Sequence, residues 1–412
     1  MKFVRLYSKE FEKLCNRYNC RKKQIQERVS KIIEDVRLYG DDALIKYTRK
    51  FDKVKLTQRQ LKVTESETSE AYQNIDSEFI AILKDVIENV NRFYKRQIKK
   101  SWRVLNEDGV ILGEKCEPIE RVGIYIPAGT APLVSTVYMT VLPAKIAGVK
   151  SIVLATPPNK YQSVDPYILV VANLLKVDEI YKVGGAQAIA ALAFGTRTIP
   201  KVDKIVGPGN AYVTEAKRQV FGYVDIDMIA GPSEVVLIAN RSTNPLFAMK
   251  DLEAQSEHFG GLSILVTTSK PLAKTLKKEI EKGYIILAKN LDEACDIVNR
   301  LAPEHLQVMI KNPQKVLKKI KNAGAIFLGQ YTPTAVGDYV AGPSHVLPTG
   351  GTARFFSGLG VEDFIKSSHI ISYSKKALEK AKKSIEKIST LEGLNKHLES
   401  IKVRFLDEKK SG

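Results

Sequence analysis

The sequence predicts an α/β fold built on parallel sheets, and three observations predict it. From about residue 106 onward, short β-rich runs alternate with apolar helical stretches, the pattern of a mostly parallel sheet with helices on both faces. The alternation runs through two rounds, before and after about residue 235. The chain ahead of it instead interleaves charges with apolar residues at helical spacing. The expected organisation is a helical N-terminal region over 1–105, two Rossmann-like but incomplete parallel-sheet domains over 106–235 and 236–375, and a small C-terminal tail domain over 376–412.

The N-terminal helices are carried by "QERVSKIIEDVRLYGDDALIKYTRKF" and "SEFIAILKDVIENVNRFYKRQIKKSW". The first round opens with "RVGIYIPAG" and an apolar helix, then "SIVLATPP" and a helix near 164–175. It continues with "EIYKVGG", the helix "AQAIAALAF", "KIVGPGN" and a helix near 211–220. The second round runs through "EVVLIAN", a helix through Gln255, "LSILVTT", a helix near 271–281, "YIILA", a helix near 291–300, "LQVMI" and "GAIFLG". Two rounds raise the question of an internal duplication, which the residue similarity between them is too weak to establish. Residues 331–360 are rich in Gly, Pro and Thr, and a loop this long in an α/β protein is usually functional. The tail from 375 reads as one or two helices followed by "KVRF", an expected edge strand.

The 412 residues, 44% hydrophobic and 27% charged, can bury a large core divided among domains. The net charge of +18 favours anionic partners, but Lys and Arg are scattered and no nucleic-acid-binding motif accompanies them. The reading is a solvated Lys/Glu surface and no nucleic-acid partner. Cys15, Cys20, Cys116 and Cys295 are dispersed without a CxxC pair, which fits a reducing, cytoplasmic setting. The opening stretch "MKFVRLYSKEFEKLC" has no apolar core of a signal peptide. The longest uncharged stretch, Val122 to Ala144, contains Pro127, Pro132 and Pro143 and reads as strand, loop and helix, so no membrane span is expected.

Four stretches carry chemistry. "KVGGAQAIA" (182–190) and "VGPGN" (206–210) each join a strand to a helix start through glycines, where free backbone amides favour phosphate. Either alone is read as a tight structural turn; together in one α/β unit they support a nucleotide. In "LAPEHLQ" (301–307), Pro303 disfavours the α region for Ala302, so a new turn or first helical turn begins there. Glu304 and His305 then stand at an element boundary, where a carboxylate and an imidazole can divide acid–base work. The bland alternative is a Glu cap beside a surface His. In "DLEAQSEHFGG", Gln255 and His258 at i, i+3 on a helix share one face and can converge on one atom. A metal needs further ligands: Asp338, His345, His369 and His397 are candidates, as are Glu253 and Glu257. Spacing does not choose among them, and an ordinary hydrogen-bonded pair is the alternative.

The stretches "IYIPAGTAPLVSTVYM", "VGGAQAIAALAFGT", "GPGNAYVTEAKRQV", "IAGPSEVVLIA", "AQSEH", "LAPEHL", "GDYVAGPSHVLPTGGTARFFSGL" and "EGLNKH" occur in the order seen in histidinol dehydrogenases. The chain resembles that family from about residue 100 to its end, and more loosely before. The resemblance implies one zinc per active site, held by Gln255, His258, Asp338 and His397, the last contributed by the other subunit of a homodimer. It implies Glu304 and His305 as the catalytic pair, Ser233 and Glu392 as substrate-binding residues beside the zinc ligands and His305, and Tyr125, Gln187 and Asn210 as NAD contacts. The implied reaction oxidises L-histidinol to L-histidine in two NAD-dependent steps. One departure stands out: Phe259-Gly260-Gly261 replaces the small or acidic residue and Pro usual in relatives.

The competing expectation is another zinc- or cysteine-dependent NAD dehydrogenase acting on an amino alcohol or aldehyde, with Cys116 or Cys295 as nucleophile. A non-catalytic α/β scaffold is the alternative of a different class. His345 and His369 read as structural, His369 in a strand.

Overall fold

The structure is a computed structural model and describes residues 1–17, 23–128, 131–258 and 260–405. In chain order its strands are β1 (Lys2–Phe3), β2 (Trp102–Leu105), β3 (Ile111–Pro118), β4 (Arg121–Tyr125), β5 (Ser151–Thr156), β6 (Glu179–Lys182), β7 (Lys204–Val206), β8 (Asp225–Ile226), β9 (Glu234–Ala239), β10 (Leu262–Thr267), β11 (Tyr284–Leu287), β12 (His305–Met309), β13 (Ala325–Leu328) and β14 (Ile365–Ser372). The chain divides into two compact units, one of 1–98 and 118–364, the other of 99–117 and 365–412.

The first unit contains two parallel sheets, ordered β6-β5-β4-β7-β8 and β1-β11-β10-β9-β12-β13. Without the edge strand β1, the two orders match: each starts in the middle, builds two strands to one side, then two to the other. The duplication that residue similarity leaves open is thus a repeat of topology. The central strands are buried along their length, as parallel strands covered on both faces must be, and this explains their near-continuous Val, Ile and Leu.

Helices cover these faces for identifiable reasons. The helix Lys23–Phe51 lays Val29, Ile33 and Val36 in one core with Ile189, Leu192 and Ala216 of the helices Gly185–Phe194 and Ala211–Val220. It breaks at Gly40, whose φ of 51° a glycine accepts without steric cost. On the six-stranded sheet, Phe11, Ile297 and Leu301 pack with Val236 and Ile264 on one face, and Leu252 and Leu276 with Leu237 and Leu265 on the other. Caps fix several helix starts: Ser8, Asp76, Asp165 and Asn290 each accept a backbone N–H of the first turn.

The second unit holds a three-stranded sheet, β14-β3-β2, and the helices Lys375–Leu391 and Asn395–Lys402. Trp102, Val104, Leu105 and Ile371 on its strands are exposed.

Three expectations need correction. The N-terminal 1–105 is not a domain of its own, because Lys2–Phe3 completes a sheet edge and Lys23–Phe51 completes a core. The tail unit takes 99–117 and starts at 365 rather than 376, since β14 belongs to its sheet. "KVRF" is no edge strand: Val403–Phe405 is a 3₁₀ turn continuing the last helix. Residues 331–360 are also more ordered than a plain loop, with a short helix at Thr334–Tyr339 and a 3₁₀ turn at Thr352–Arg354.

Candidate active site

The chain reverses its direction of sheet growth between β4 and β7, and again between β9 and β12. Ligands of open α/β sheets favour such switch points, beyond the carboxyl ends of the strands. In the five-stranded sheet, Tyr125 ends β4 and the Gly207–Asn210 turn follows β7, at that carboxyl end. In the six-stranded sheet, Ser233, Glu304 and His305 lie between β9 and β12 but at the amino ends. Two hydrogen bonds tie these regions together: Tyr138 donates to the Tyr339 carbonyl at 3.0 Å, and Thr214 donates to the Ala230 carbonyl at 2.9 Å.

Glu304 and His305 are buried, so the surface-His alternative does not hold. Pro303 does not open a helical turn. Ala302 caps the helix Leu291–Leu301 in the left-handed region, φ 45°, and His305 begins β12. One Glu304 oxygen, Oε2, accepts from the Ser233 hydroxyl and from the Glu234 amide, each at 2.7 Å. His305 Nδ1 lies 3.0 Å from the Glu234 carbonyl, which can only accept, so Nδ1 carries a proton. His305 Nε2 has no hydrogen-bond partner and lies 3.5 Å from Asp338 Oδ1. Burial pushes the His305 pKa down, but the Glu304 and Asp338 carboxylates outweigh it and raise it to about 10. Ser233, Glu304, His305 and Asp338 thus form one network assembled from three chain segments.

Gln255 and His258 share no continuous α-helix. The helix Pro245–Ala254 ends before them, Gln255–Glu257 form a 3₁₀ turn, and His258 is extended beyond it. Gln255 is buried and its amide nitrogen lacks a partner, whereas His258 is exposed. The turn returns to the site: Leu262 donates to the Ser233 carbonyl at 3.0 Å. Phe259 lies outside the described residues. A Cβ on Gly261 would sit 2.2 Å from the Gln255 carbonyl oxygen, so this version of the turn requires glycine there. Glu253 pairs with Lys250 at 2.8 Å. Glu392 caps the helix Lys375–Leu391, and His397 lies in the helix Asn395–Lys402; both are exposed and belong to the second unit.

The nucleotide candidates differ in character. Tyr125 accepts from the Gly185 amide at 3.0 Å, and burial pushes its pKa up to about 12. Gln187 is 1% exposed, and neither side-chain amide atom has a partner. Asn210 spends its carbonyl oxygen capping the helix Ala211–Val220 through Tyr212 and Val213, leaving only its amide nitrogen for a ligand. The turn glycines are dictated first by the chain itself: a Cβ on Gly184 would meet Pro157 at 2.6 Å, and one on Gly207 would meet the Tyr125 carbonyl at 2.3 Å.

His345, read from the sequence as structural, stands at the edge of the site. Its Nδ1 lies 3.0 Å from the Asp338 carbonyl and its Nε2 3.1 Å from the Thr136 hydroxyl, and burial lowers its pKa. The available signal was its place seven residues after Asp338 in one Gly-rich segment. His369 lies in β14, as expected, and is exposed. Cys295 is buried, with its thiol pKa pushed up by burial, and Cys116 stands 3.7 Å from the Ser367 hydroxyl on the second unit's sheet. Cys20 lies outside the described residues.

Comparison with known proteins gives the family. A family model described as histidinol dehydrogenase matches residues 15–405. A histidinol dehydrogenase of Clostridium acetobutylicum is 48% identical, covering 96% of each chain, and one of Listeria monocytogenes is 49% identical, covering 93% of this chain and 94% of its own. A crystal structure of histidinol dehydrogenase from Elizabethkingia anophelis superimposes with a TM-score of 0.91 at 37% identity, covering 98% of both chains. With the motifs in order, the fold shared end to end and identity near one half, the chain belongs to the histidinol dehydrogenase family.

Proposed function

We propose how this histidinol dehydrogenase, an oxidoreductase of histidine biosynthesis, performs its chemistry: L-histidinol is oxidised to L-histidine in two NAD-dependent steps, with Glu304 and His305 handling the protons. The observation that carries the reading is the Ser233–Glu304–His305–Asp338 network, in which the carboxylate and imidazole of the pair are buried. With Nδ1–H turned to the Glu234 carbonyl, Nε2 is the imidazole atom that exchanges protons with substrate; the Glu304 and Asp338 carboxylates that hold its pKa high would pull less once a dication engaged Asp338, which would bring Nε2 down toward the range where it is free to accept. It takes the alcohol proton as the substrate carbon gives up hydride. Glu304, oriented by Ser233 and the Glu234 amide, draws a proton from the water that adds to the aldehyde. Once His305 has passed the first proton to solvent, it takes a proton from the resulting hydrate as the second hydride leaves. Both groups are buried, which suits an enzyme that must hold a reactive aldehyde between steps.

Tyr125, Gln187 and Asn210 would hold NAD, which when bound would supply the hydride acceptor for both oxidations. The orphaned amide of Gln187 supports that placement, because an unpaired buried amide costs about 1–3 kcal/mol that a ligand can recover. Gln255, His258 and Asp338, with His397 contributed by a second copy, would hold one zinc, which supplies a Lewis acid that grips the imidazole and amine of the substrate. The donor set, an amide oxygen, two imidazoles and a carboxylate, suits zinc; Gln255 would ligate through its side-chain oxygen, its amide nitrogen being a hydrogen-bond donor. Among the described residues no three His, Cys, Asp or Glu side chains cluster as a metal site. The set proposed draws only two such residues from one chain's first unit. The carboxylates of Glu304 and Asp338 make the pocket negative, in keeping with a dication and a cationic substrate. Ser233 and Glu392 are proposed to bind substrate. We place the enzyme in the cytoplasm as a homodimer; no described helix is long and apolar enough to cross a membrane.

The cysteine route has less behind it, since Cys295 is buried with a raised pKa. Turnover under anaerobic conditions, counting NADH formed per histidine, tests the main reading. Glu304→Gln and His305→Asn are each expected to slow turnover by about 10²- to 10⁴-fold, and a zinc chelator to abolish it. Either variant turning over at the parent rate would remove that residue from the mechanism.

A further inference from the structure

We propose that Arg17 is a positioning residue for the catalytic pair, acting through Glu234; this rests on the assignment of Glu304 and His305 made above. Glu234 holds both members of the pair with its backbone. Its N–H donates to Glu304 Oε2 at 2.7 Å, and its carbonyl faces His305 Nδ1 at 3.0 Å. Whatever fixes Glu234 therefore fixes the carboxylate's orientation and the imidazole's tautomer together.

Arg17 fixes it. The Glu234 side chain is nearly sealed from solvent, 4% exposed, and Arg17 is 12% exposed. The guanidinium grips the carboxylate in a fork, with Nε to Oε1 at 2.5 Å and Nη2 to Oε2, while the Gly350 amide adds a bond to Oε1 at 2.9 Å. The remaining guanidinium nitrogen, Nη1, donates to the Leu301 carbonyl at 2.8 Å and the Leu14 carbonyl at 2.7 Å. Leu301 ends the helix that leads through left-handed Ala302 and Pro303 into Glu304. One side chain thus joins the two backbone segments that hold the pair: the start of β9 through Glu234, and the approach to β12 through Leu301. Those strands are adjacent and in register, His305 opposite Val235. A planar, five-donor guanidinium can make these bonds at once, and a lysine ammonium cannot span them. Arg17 reaches Glu304 and His305 only through these neighbours, so its effect should fall on the chemical step and leave substrate capture largely intact.

The test compares Arg17→Ala, Arg17→Lys and Glu234→Gln in the full-length, zinc-loaded enzyme, with Glu304→Gln and His305→Asn as controls. Arg17→Ala should lose about 100-fold in kcat, the scale of a displacement near 1 Å, while KM for L-histidinol moves less than about threefold and zinc content is unchanged. Arg17→Lys should recover part of the loss, and free guanidinium at millimolar concentration should partly rescue Arg17→Ala. A kcat within about threefold of the parent would overturn the proposal. So would parallel losses of zinc, KM and melting temperature without guanidinium rescue, which describe a merely structural salt bridge. If Arg17→Ala does not fold, Glu234→Gln carries the test: it keeps shape and backbone, and an unchanged kcat overturns the proposal. If the control variants keep full turnover, the assignment of the pair has failed, and the positioning role falls with it.

Discussion

Asp52 and Gln187 show how unevenly polar groups are satisfied along this chain. Most buried polar side chains have partners, yet both amide atoms of Gln187, the amide nitrogen of Gln255 and Nε2 of His305 have none. These three are proposed site residues, and at about 1–3 kcal/mol each the unpaired groups cost stability that a ligand would return. Asp52 has no such role. Its Oδ2 is buried without a partner, and burial pushes its pKa up to about 6. For a carboxyl raised in the folded state, the sign is clear: the folded protein takes up the proton first, so stability rises as pH falls from about 6 toward 4. Asp52→Asn should therefore stabilise the protein at pH 7 by about 1–2 kcal/mol, allowing for partial solvent access, and flatten that rise. Urea unfolding of both proteins at a neutral and a mildly acidic pH measures the effect; equal stabilities at pH 7 would sink it.

Elements set where these residues meet. The turn after β7 is held by a buried ion pair from two other elements. Lys217, on the helix Ala211–Val220, pairs with Asp227 and donates to the Gly207 carbonyl at 2.9 Å, while Asp227 Oδ2 accepts from the Gly207 amide at 2.7 Å. Both side chains are buried, Asp227 fully. Removing one partner strands a charge, which costs about 3–5 kcal/mol. Lys217→Met should lower stability on that scale and raise KM for NAD more than KM for L-histidinol, because it loosens the turn before Asn210. Steady-state kinetics with each substrate varied will show the difference, and equal shifts would argue against it. The central strands of the two parallel sheets were legible in the sequence, since fully buried parallel strands leave continuous apolar runs, whereas β1, β2, β3 and β8, at sheet edges or in the small exposed sheet, leave none. The misread end has a local cause: "KVRF" has strand-like residues, but Val403–Phe405 continues the preceding helix as a 3₁₀ turn.

At the scale of the molecule, the proposed zinc ligands are divided between the two units, with Gln255, His258 and Asp338 in one and His397 in the other. The second unit exposes Trp102, Val104, Leu105, Ile371 and Leu391, more apolar surface than a small free-standing unit would carry. The proposed dimer with shared sites can be tested by complementation. His397→Asn and Asp338→Asn should each abolish turnover alone. Mixed and allowed to exchange subunits, they should recover about a quarter of parent activity per site, because one site in a mixed dimer collects neither substitution. No recovery after exchange verified by mass would leave each site within a single chain.

The sequence by itself determined the α/β class, the order of the central strands and the helices between them, the proline-broken apolar stretch before Ala144 and, through its ordered motifs, the family. These are local or cumulative properties, set by periodicity, capping and turn chemistry over short windows. Only the tertiary structure decided that Ser233, Glu304, His305 and Asp338 form one network, that the first helices complete the parallel-sheet cores, and that Arg17 stands behind Glu234. Arg17 and Glu234, for example, are 217 positions apart. Such contacts depend on which strands become neighbours, and no local pattern in the chain encodes that choice.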